Sequence, residues 1–398
     1  MTGRYPFRTD ITRWPTQPLL EKEQVTVASL LRDQGYQTAM VGKWHLGFCE
    51  QGYEQPLAGG PVDCGFDTFF GMRASTDISP YFYIRGHRAV MPPTNHIAEH
   101  HSDGWAATQG EFWRGGGIAP DLKLDDVLPR LTDEACTLIE THAGRKAEAR
   151  PPLLLYLALT APHTPWLPAP EFAGKSGAGM YGDFVMMVDA QIGRVLAALD
   201  EADMTRDTLL IFTSDNGPMW LPADVQRFGH DAVGGLRGMK GDVWEGGHRM
   251  PFIVRWPRRV KAGTVSDQTI CFTDLLATFA EVCGVKLPSS AGPDSFSFLP
   301  VLDGRQSEDK PVRGPTVMQA GSSSAMMIRA GEWKLINQLG SGGFSRPAFI
   351  KPKSGEPEGQ LYNLRNDRAE TNNLYLKQPE IVARLQAELD RIVKSGSR

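Results

Sequence analysis

Apolar positions along the chain recur at two periods, and the two alternate. Residues 25–35 (VTVASLLRDQG) have the spacing of an amphipathic helix that ends at a glycine cap. Residues 36–42 (YQTAMVG) follow as a short strand. Residues 125–142 return to helical spacing through Leu128, Leu131, Ala135, Leu138 and Ile139. Residues 153–159 (LLLYLAL) are continuously apolar, the pattern of a central strand buried on both faces. Residues 181–202 predict a long helix with Val185, Val188, Ile192, Val195, Leu196 and Leu199 on one stripe. Residues 208–213 and 251–256 predict two more buried strands, and 272–283 another helix. This alternation predicts an α/β layer fold around a mixed, mainly parallel sheet flanked by helices.

The pattern changes after about residue 288. Short strands at 317–319, 325–329, 333–337 and 360–363 are separated by Gly and Ser, and a final helix covers 379–393. These predict a smaller C-terminal antiparallel sheet plus helix. The division expected is a large domain over 1–305 and a small α+β domain over 306–398. Residues 340–359, rich in Gly and Ser, read as a mobile loop. No run approaches the roughly 18–20 apolar residues of a membrane span.

Composition narrows the class. Lys and Arg number 42 against 46 Asp and Glu, for a net charge of −4, so binding of nucleic acid through bulk charge is excluded. Hydrophobic residues make up 41%, ample for a core, which excludes disorder. The five cysteines, Cys49, Cys64, Cys136, Cys271 and Cys283, show no C-x-x-C spacing, which removes a zinc ribbon or thioredoxin-like site. Free or buried thiols are expected, and the count is compatible with one disulfide. No secretory leader opens the chain.

In such folds chemistry gathers at the carboxyl ends of strands. Gly42-Lys43-Trp44-His45-Leu46-Gly47 follows the first strand, and Lys43 and His45, two apart on an extended segment, point to one side. Ala161-Pro162-His163-Thr164-Pro165-Trp166 follows LLLYLAL, with prolines stiffening the loop around His163. Ser214-Asp215-Asn216-Gly217 follows the 208–213 strand. Asp215 and Asn216 both offer oxygen ligands, which suits Ca²⁺ or Mg²⁺ better than zinc. Residues 236–251 (LRGMKGDVWEGGHRMP) form a Gly-rich basic loop around Lys240, suited to closing over an anion. Together these make a cationic pocket with a hard metal, fit for a sulfate or phosphate ester. The alternative for each motif taken alone is a solvated Lys, a hydrogen-bonded His or a plain turn.

At these residues the chain resembles the sulfatase family of the alkaline-phosphatase-like superfamily. GKWHLG, APHTPW, SDNG and KGDVWEGGHRMPFIVRWP match family blocks in order. FWRGGGIAPDLKLDDVLPRLTDEA is similar to the arylsulfatase A-type branch, and LYNLRNDRAETNNL to the family's C-terminal block. The resemblance implies hydrolysis of sulfate esters of small molecules or carbohydrates through a formylglycine made from a Cys or Ser in C-x-P-x-R. It implies that Asp215 and Asn216 ligate calcium, and that Lys43 and His45 hold the formylglycine and the sulfate. It assigns His163 and Lys240 to the sulfate and to departure of the alcohol, with His163 as proton donor, and places Ser75, in GMRASTD, near the sulfate.

One departure stands out. The family signature continues from C-x-P-x-R into T-G-R-Y-P, and this chain opens with MTGRYPFRT. No cysteine lies in a C-x-P-x-R context. The expectation is therefore that the nucleophile and an upstream strand with two more metal-binding Asp residues are missing, that a sheet edge is exposed, and that turnover by this chain is little or none. Two alternatives to an active sulfatase are an inactive truncated relative that binds anions and a phosphodiester or phosphonate ester hydrolase of the same superfamily. A complete family member would be periplasmic or secreted. Substrate-selecting loops are expected at 81–117, with His96, His100 and His101, and at 340–359; the histidines read as a solvated loop.

Overall fold

In the computed structural model, which describes residues 1–9, 15–321 and 323–395 apart from the Ala147 side chain, Thr26 starts the first helix. Its hydroxyl accepts from Ser29 N while the Ser29 hydroxyl accepts from Thr26 N, a capping box that satisfies two orphan amides of α1 (Val27–Asp33). Strand β1 (Gln37–Lys43) runs through the core, buried at five consecutive positions. It pairs in parallel with β2 (Thr68–Met72) on one side. The short strands β3 (Ile84–Arg85) and β4 (Arg88–Ala89) extend the sheet beyond β2, and β5 (Asn95–Ile97) pairs with β6 (Gly116–Ile118) in a separate hairpin. Helix α2 (Val127–Ala143) packs Leu128, Leu131, Ala135 and Ile139 inward, as the spacing predicts, while Leu138 of the same predicted stripe keeps partial exposure. Strand β7 (Leu153–Ala158) pairs in parallel with β1, and α3 (Gly179–Glu201) packs on α2.

The sheet order is β4-β3-β2-β1-β7. LLLYLAL is thus an edge strand and not the central one its pattern predicts. Every residue of β7 keeps some exposure, and Tyr156 is 44% exposed. The reason is that β7 is paired on one side only among the described residues. The stripe of α3 also differs. Phe184, Met187, Val188, Ala198 and Leu199 are buried, whereas Val185 lies on the exposed face with Met186.

These elements belong to one of two compact units, built on residues 15–207. The other is built on residues 208–395 together with 3–9. In it β8 (Leu210–Thr213) and β9 (Phe252–Arg255) form an antiparallel pair, and both keep partial exposure where the apolar runs predict burial. Between them lie α4 (Pro222–Phe228) and the single turn α5 (Glu245–His248). Helices α6 (Asp274–Val282) and α7 (Leu299–Leu302) follow. Strands β10 (Thr316–Gln319), β11 (Met326–Ala330), β12 (Trp333–Ile336) and β13 (Gln360–Asn363) form the predicted antiparallel sheet, in sequence order. Its two faces alternate as a pleat requires. Val317, Ile328, Leu335 and Leu361 face Leu385 and Leu389 of α8 (Pro379–Lys394). Met327, Ile336 and Tyr362 face Val243 and Trp244, from the basic loop. Each such large apolar side chain contributes roughly 1.5–3 kcal/mol by leaving water.

The TGRYP segment docks in this second unit. Tyr5 joins the core beneath α8, and its hydroxyl accepts from Arg313, whose guanidinium also grips the buried Asp274 at 2.8 Å. Arg8 makes a bidentate pair with Asp294 at 2.6 Å. Burial pushes the Tyr5 phenol up to about 12. Residues 340–359 are irregular as expected, yet their first part is anchored: Ser341 is fully buried and its carbonyl accepts from Val243 N.

Candidate active site

In the first unit the three parallel strands stop at one level, and their carboxyl ends carry the candidate groups. Gly42 of β1 lies level with Gly71 of β2 and Ala158 of β7. A Cβ on Gly42, whose φ is +119°, would sit 1.9 Å from the Ala158 carbonyl oxygen. Only a bare backbone lets the strands approach this closely.

Lys43 ends β1. Pairing continues one step further, with Trp44 N donating to Met72 O and His45 N to Arg73 O, both at 3.0 Å. His45 then turns into the left-handed region at φ +57°. Strand alternation ends there, so the inference that Lys43 and His45 share a side because the segment is extended does not hold. The buried Trp44 fixes the turn instead, its indole donating to Gly47 O at 3.0 Å.

Ser75 and Asp77 lie beyond the end of β2. Ser75 is buried, and its Oγ has no hydrogen-bond partner among the described residues. His163 lies beyond β7, between the cis peptides Ala161–Pro162 and Thr164–Pro165. Its Nδ1 donates to Thr164 O at 3.0 Å and stands 3.6 Å from Asp77 Oδ1. Trp166 pins the loop, its indole donating to Pro162 O and its backbone N to Gly110 O. Lys43, His45, Ser75, Asp77 and His163 thus leave three adjacent strand ends at one sheet edge. Asp77 was not singled out from sequence; its two-residue spacing from Ser75 in GMRASTD was the available signal.

The second unit holds the other candidates. Asp215 is exposed in the turn after β8, and the Asn216 side chain donates to Gly217 O at 2.9 Å. This turn is joined to the basic loop by two backbone bonds, Gly217 N to Gly247 O and Lys240 N to Pro218 O, both 2.9 Å. A Cβ on Gly217 would lie 1.8 Å from Gly246 O, so glycine is required for the contact. Asp242 closes the turn after Lys240, accepting from Met239 N at 2.9 Å and from Ser345 N at 3.0 Å. Asp215, Asn216 and Lys240 are therefore carried by two loops that hold each other.

Beneath this loop is a charge cluster that sequence reasoning missed. Lys334 of β12, fully buried, lies 2.9 Å from Glu245 and 2.8 Å from Glu370, both also buried. Glu370 accepts from Glu245 N at 2.6 Å, which caps the N-terminus of α5. Lys334 also donates to His248 Nε2 at 3.1 Å. Lys334 and the neighbouring cations hold the Glu245 carboxyl down at about 2 against the opposing cost of burial. Burial, with Lys334 beside it, pushes His248 down to about 3, so its ring is neutral at ordinary pH.

A family model described as Sulfatase matches residues 1–285. The chain belongs to the sulfatase family. It is 31% identical to an N-acetylgalactosamine-6-O-sulfatase of Bacteroides thetaiotaomicron, over 98% of this chain and 82% of that protein. It is 30% identical to human arylsulfatase A, over 100% of this chain and 78% of that protein. A solved structure from work on the metabolism of multiple glycosaminoglycans by Bacteroides thetaiotaomicron superposes with a TM-score of 0.83 at 29% identity, covering 99% of this chain and 87% of that one. The architecture is thus the alkaline-phosphatase-like α/β fold with its C-terminal antiparallel sheet, and by family the protein is a sulfuric ester hydrolase.

In this sulfatase all five cysteines are free thiols. Burial raises Cys64 to about 11 and raises Cys136 as well, the opposite of an activated thiolate. A hard cation takes about six or more oxygen donors. Asp215 and Asn216 have the right chemistry but are two donors on one turn, and no cluster of three His, Cys, Asp or Glu able to hold a metal occurs among the described residues. The residues present thus fit only part of a calcium site. His100 stacks on Trp113 with ring centroids 4.5 Å apart and lies 3.5 Å from Glu111, consistent with a structural role in its loop. No described helix is long and apolar enough to cross a membrane.

Proposed function

We propose that this sulfatase cleaves sulfate esters of sugars. The observation that carries the reading is the convergence of Lys43, His45, Ser75 and His163 on one edge of three parallel strands. A sugar substrate is favoured by the relatives, one an N-acetylgalactosamine-6-O-sulfatase and one from glycosaminoglycan metabolism. In the proposed chemistry Lys43 neutralises the sulfate oxygens and Ser75 orients them, and Lys240 is the anion-binding candidate of the second unit. His163 gives its proton to the ester oxygen as the S–O bond breaks, so that a neutral alcohol leaves. Asp215 and Asn216 are part of the ligand set for Ca²⁺ or Mg²⁺, which when bound would supply charge to the developing oxyanion. Residues 1–305 carry this chemistry, and 306–398 support the basic loop.

The nucleophile belongs to the same reading: a formylglycine from C-x-P-x-R, a motif absent from these 398 residues. The test assays this chain, and a form with a C-x-P-x-R segment joined ahead of TGRYP and matured to formylglycine, on 4-nitrophenyl sulfate, N-acetylgalactosamine 6-sulfate and a phosphodiester. Sulfate-ester turnover is expected from the second form and little from the first. Comparable turnover by both would overturn the formylglycine assignment, and preference for the phosphodiester would overturn the substrate class. His163→Ala should cost about 10²-fold or more in kcat in the active form.

A further inference from the structure

Asp77 has two carboxylate oxygens in unlike settings. Oδ2 accepts from Arg114 at 2.5 Å. Oδ1 is buried, has no hydrogen-bond partner among the described residues, and faces His163 Nδ1 at 3.6 Å. The side chain as a whole is only 5% exposed, and a buried carboxylate oxygen left without a donor is costly. The backbone carbonyl of Thr164 also faces Nδ1, at 3.0 Å. The Thr164 hydroxyl, which can give or accept, also lies 3.4 Å from this nitrogen, so the two neighbours of fixed character, the Asp77 carboxylate and the Thr164 carbonyl, are both acceptors.

The geometry points to Asp77 as the positioning residue of the proton donor: it keeps a proton on His163 Nδ1, orients the ring, and stabilises the imidazolium through its charge. The pairing leaves Nε2, the other ring nitrogen, as the atom that gives and regains the proton. Arg114 is the counter-charge on Oδ2 and leaves Oδ1 facing the ring. Tyr81 flanks the pair, its hydroxyl donating to Arg114 O at 2.7 Å, and Lys43 and His45 leave the neighbouring strand end. The use of the proton on an alcohol rests on the sulfatase reading above; the Asp77–His163 pairing does not.

The test needs no turnover. The ring nitrogens of the 9 histidines are followed by long-range ¹H–¹⁵N correlation through a pH titration of the full chain, with His163→Gln assigning the signal. The neutral ring of the unsubstituted protein should carry its proton on Nδ1. Asp77→Asn, which keeps size and an acceptor but drops the charge, should lower the ring's titration midpoint by about one pH unit or more. Arg114→Gln, which leaves Asp77 in place and removes its competing cation, should raise the midpoint, and it decides the matter if Asp77→Asn does not fold. An unchanged midpoint in the folded Asp77→Asn protein, a fall in Arg114→Gln, or a proton on Nε2 of the neutral ring would overturn the inference. Loss of the sulfatase reading would show separately, as no sulfate-ester cleavage with the ring behaviour unaltered.

Discussion

Lys334→Met should destabilise the second unit by about 3–5 kcal/mol, because it leaves two buried carboxylates facing each other with no cation between them. Glu245 and Glu370 both lie within 3 Å of the Lys334 ammonium, and all three side chains are at most 1% exposed. Met fills a similar volume, so the loss reports charge and not a cavity. Urea denaturation followed at a second-unit probe checks it. A midpoint unchanged by Lys334→Met would show that the cluster contributes nothing. The triple replacement Lys334→Met, Glu245→Gln, Glu370→Gln should recover part of the loss, since amides carry no charge to strand.

The same cluster sets an acid limit on stability. His248 has a lowered folded value of about 3, so between its unfolded 6.5 and 3 the unfolded chain binds the extra proton and stability falls as pH falls. Glu245, held at about 2 against an unfolded 4.5, adds stability above 4.5 that is lost as pH drops through 2. Glu370 is raised by burial and opposes this over its own range, taking up a proton in the folded state more readily. The net expectation is a decline in stability that begins below about pH 6.5 and steepens below 4.5. His248→Gln should flatten its upper part.

Gly42→Ala should abolish folding of the first unit or cost it several kcal/mol. The added methyl would lie 1.9 Å from Ala158 O and 119° is a φ that an L side chain resists. Overpacking of about 1–3 kcal/mol and backbone strain of about 1–3 kcal/mol act together. Neither neighbour can yield, since β2 and β7 are bonded to β1 at this level. Loss of soluble protein or of cooperative unfolding is the expected result. A stable Gly42→Ala protein would mean that the strands separate more easily than their pairing indicates.

How far could these features be read from sequence? Helical stripes such as Leu128-Leu131-Ala135-Ile139 were legible, because burial of one face forces the spacing. The C-terminal sheet was legible too, down to the ends of β13. What failed was context. An apolar run like LLLYLA records that both faces of a strand are apolar, and says nothing about whether both edges are paired. The extended reading of Lys43 to His45 failed because backbone angles at Gly42 and His45 leave the strand region, which residue type at His45 does not announce. Lys334 was invisible for another reason, since its partners Glu245 and Glu370 are far away in the chain, and Asp77 offered only its spacing from Ser75 while its neighbour His163 lies far along the sequence.

The two backbone bonds between the Asp215–Asn216 turn and the Lys240 loop carry a thermodynamic consequence. A cation at the first and an anion at the second would each order a scaffold that the other also needs. Binding at one then lowers the cost of binding at the other, and by reciprocity each ligand raises the affinity of its counterpart by the same factor. In the proposed chemistry, metal and sulfate are therefore cooperative ligands, and half-occupancy by either is the less favoured state.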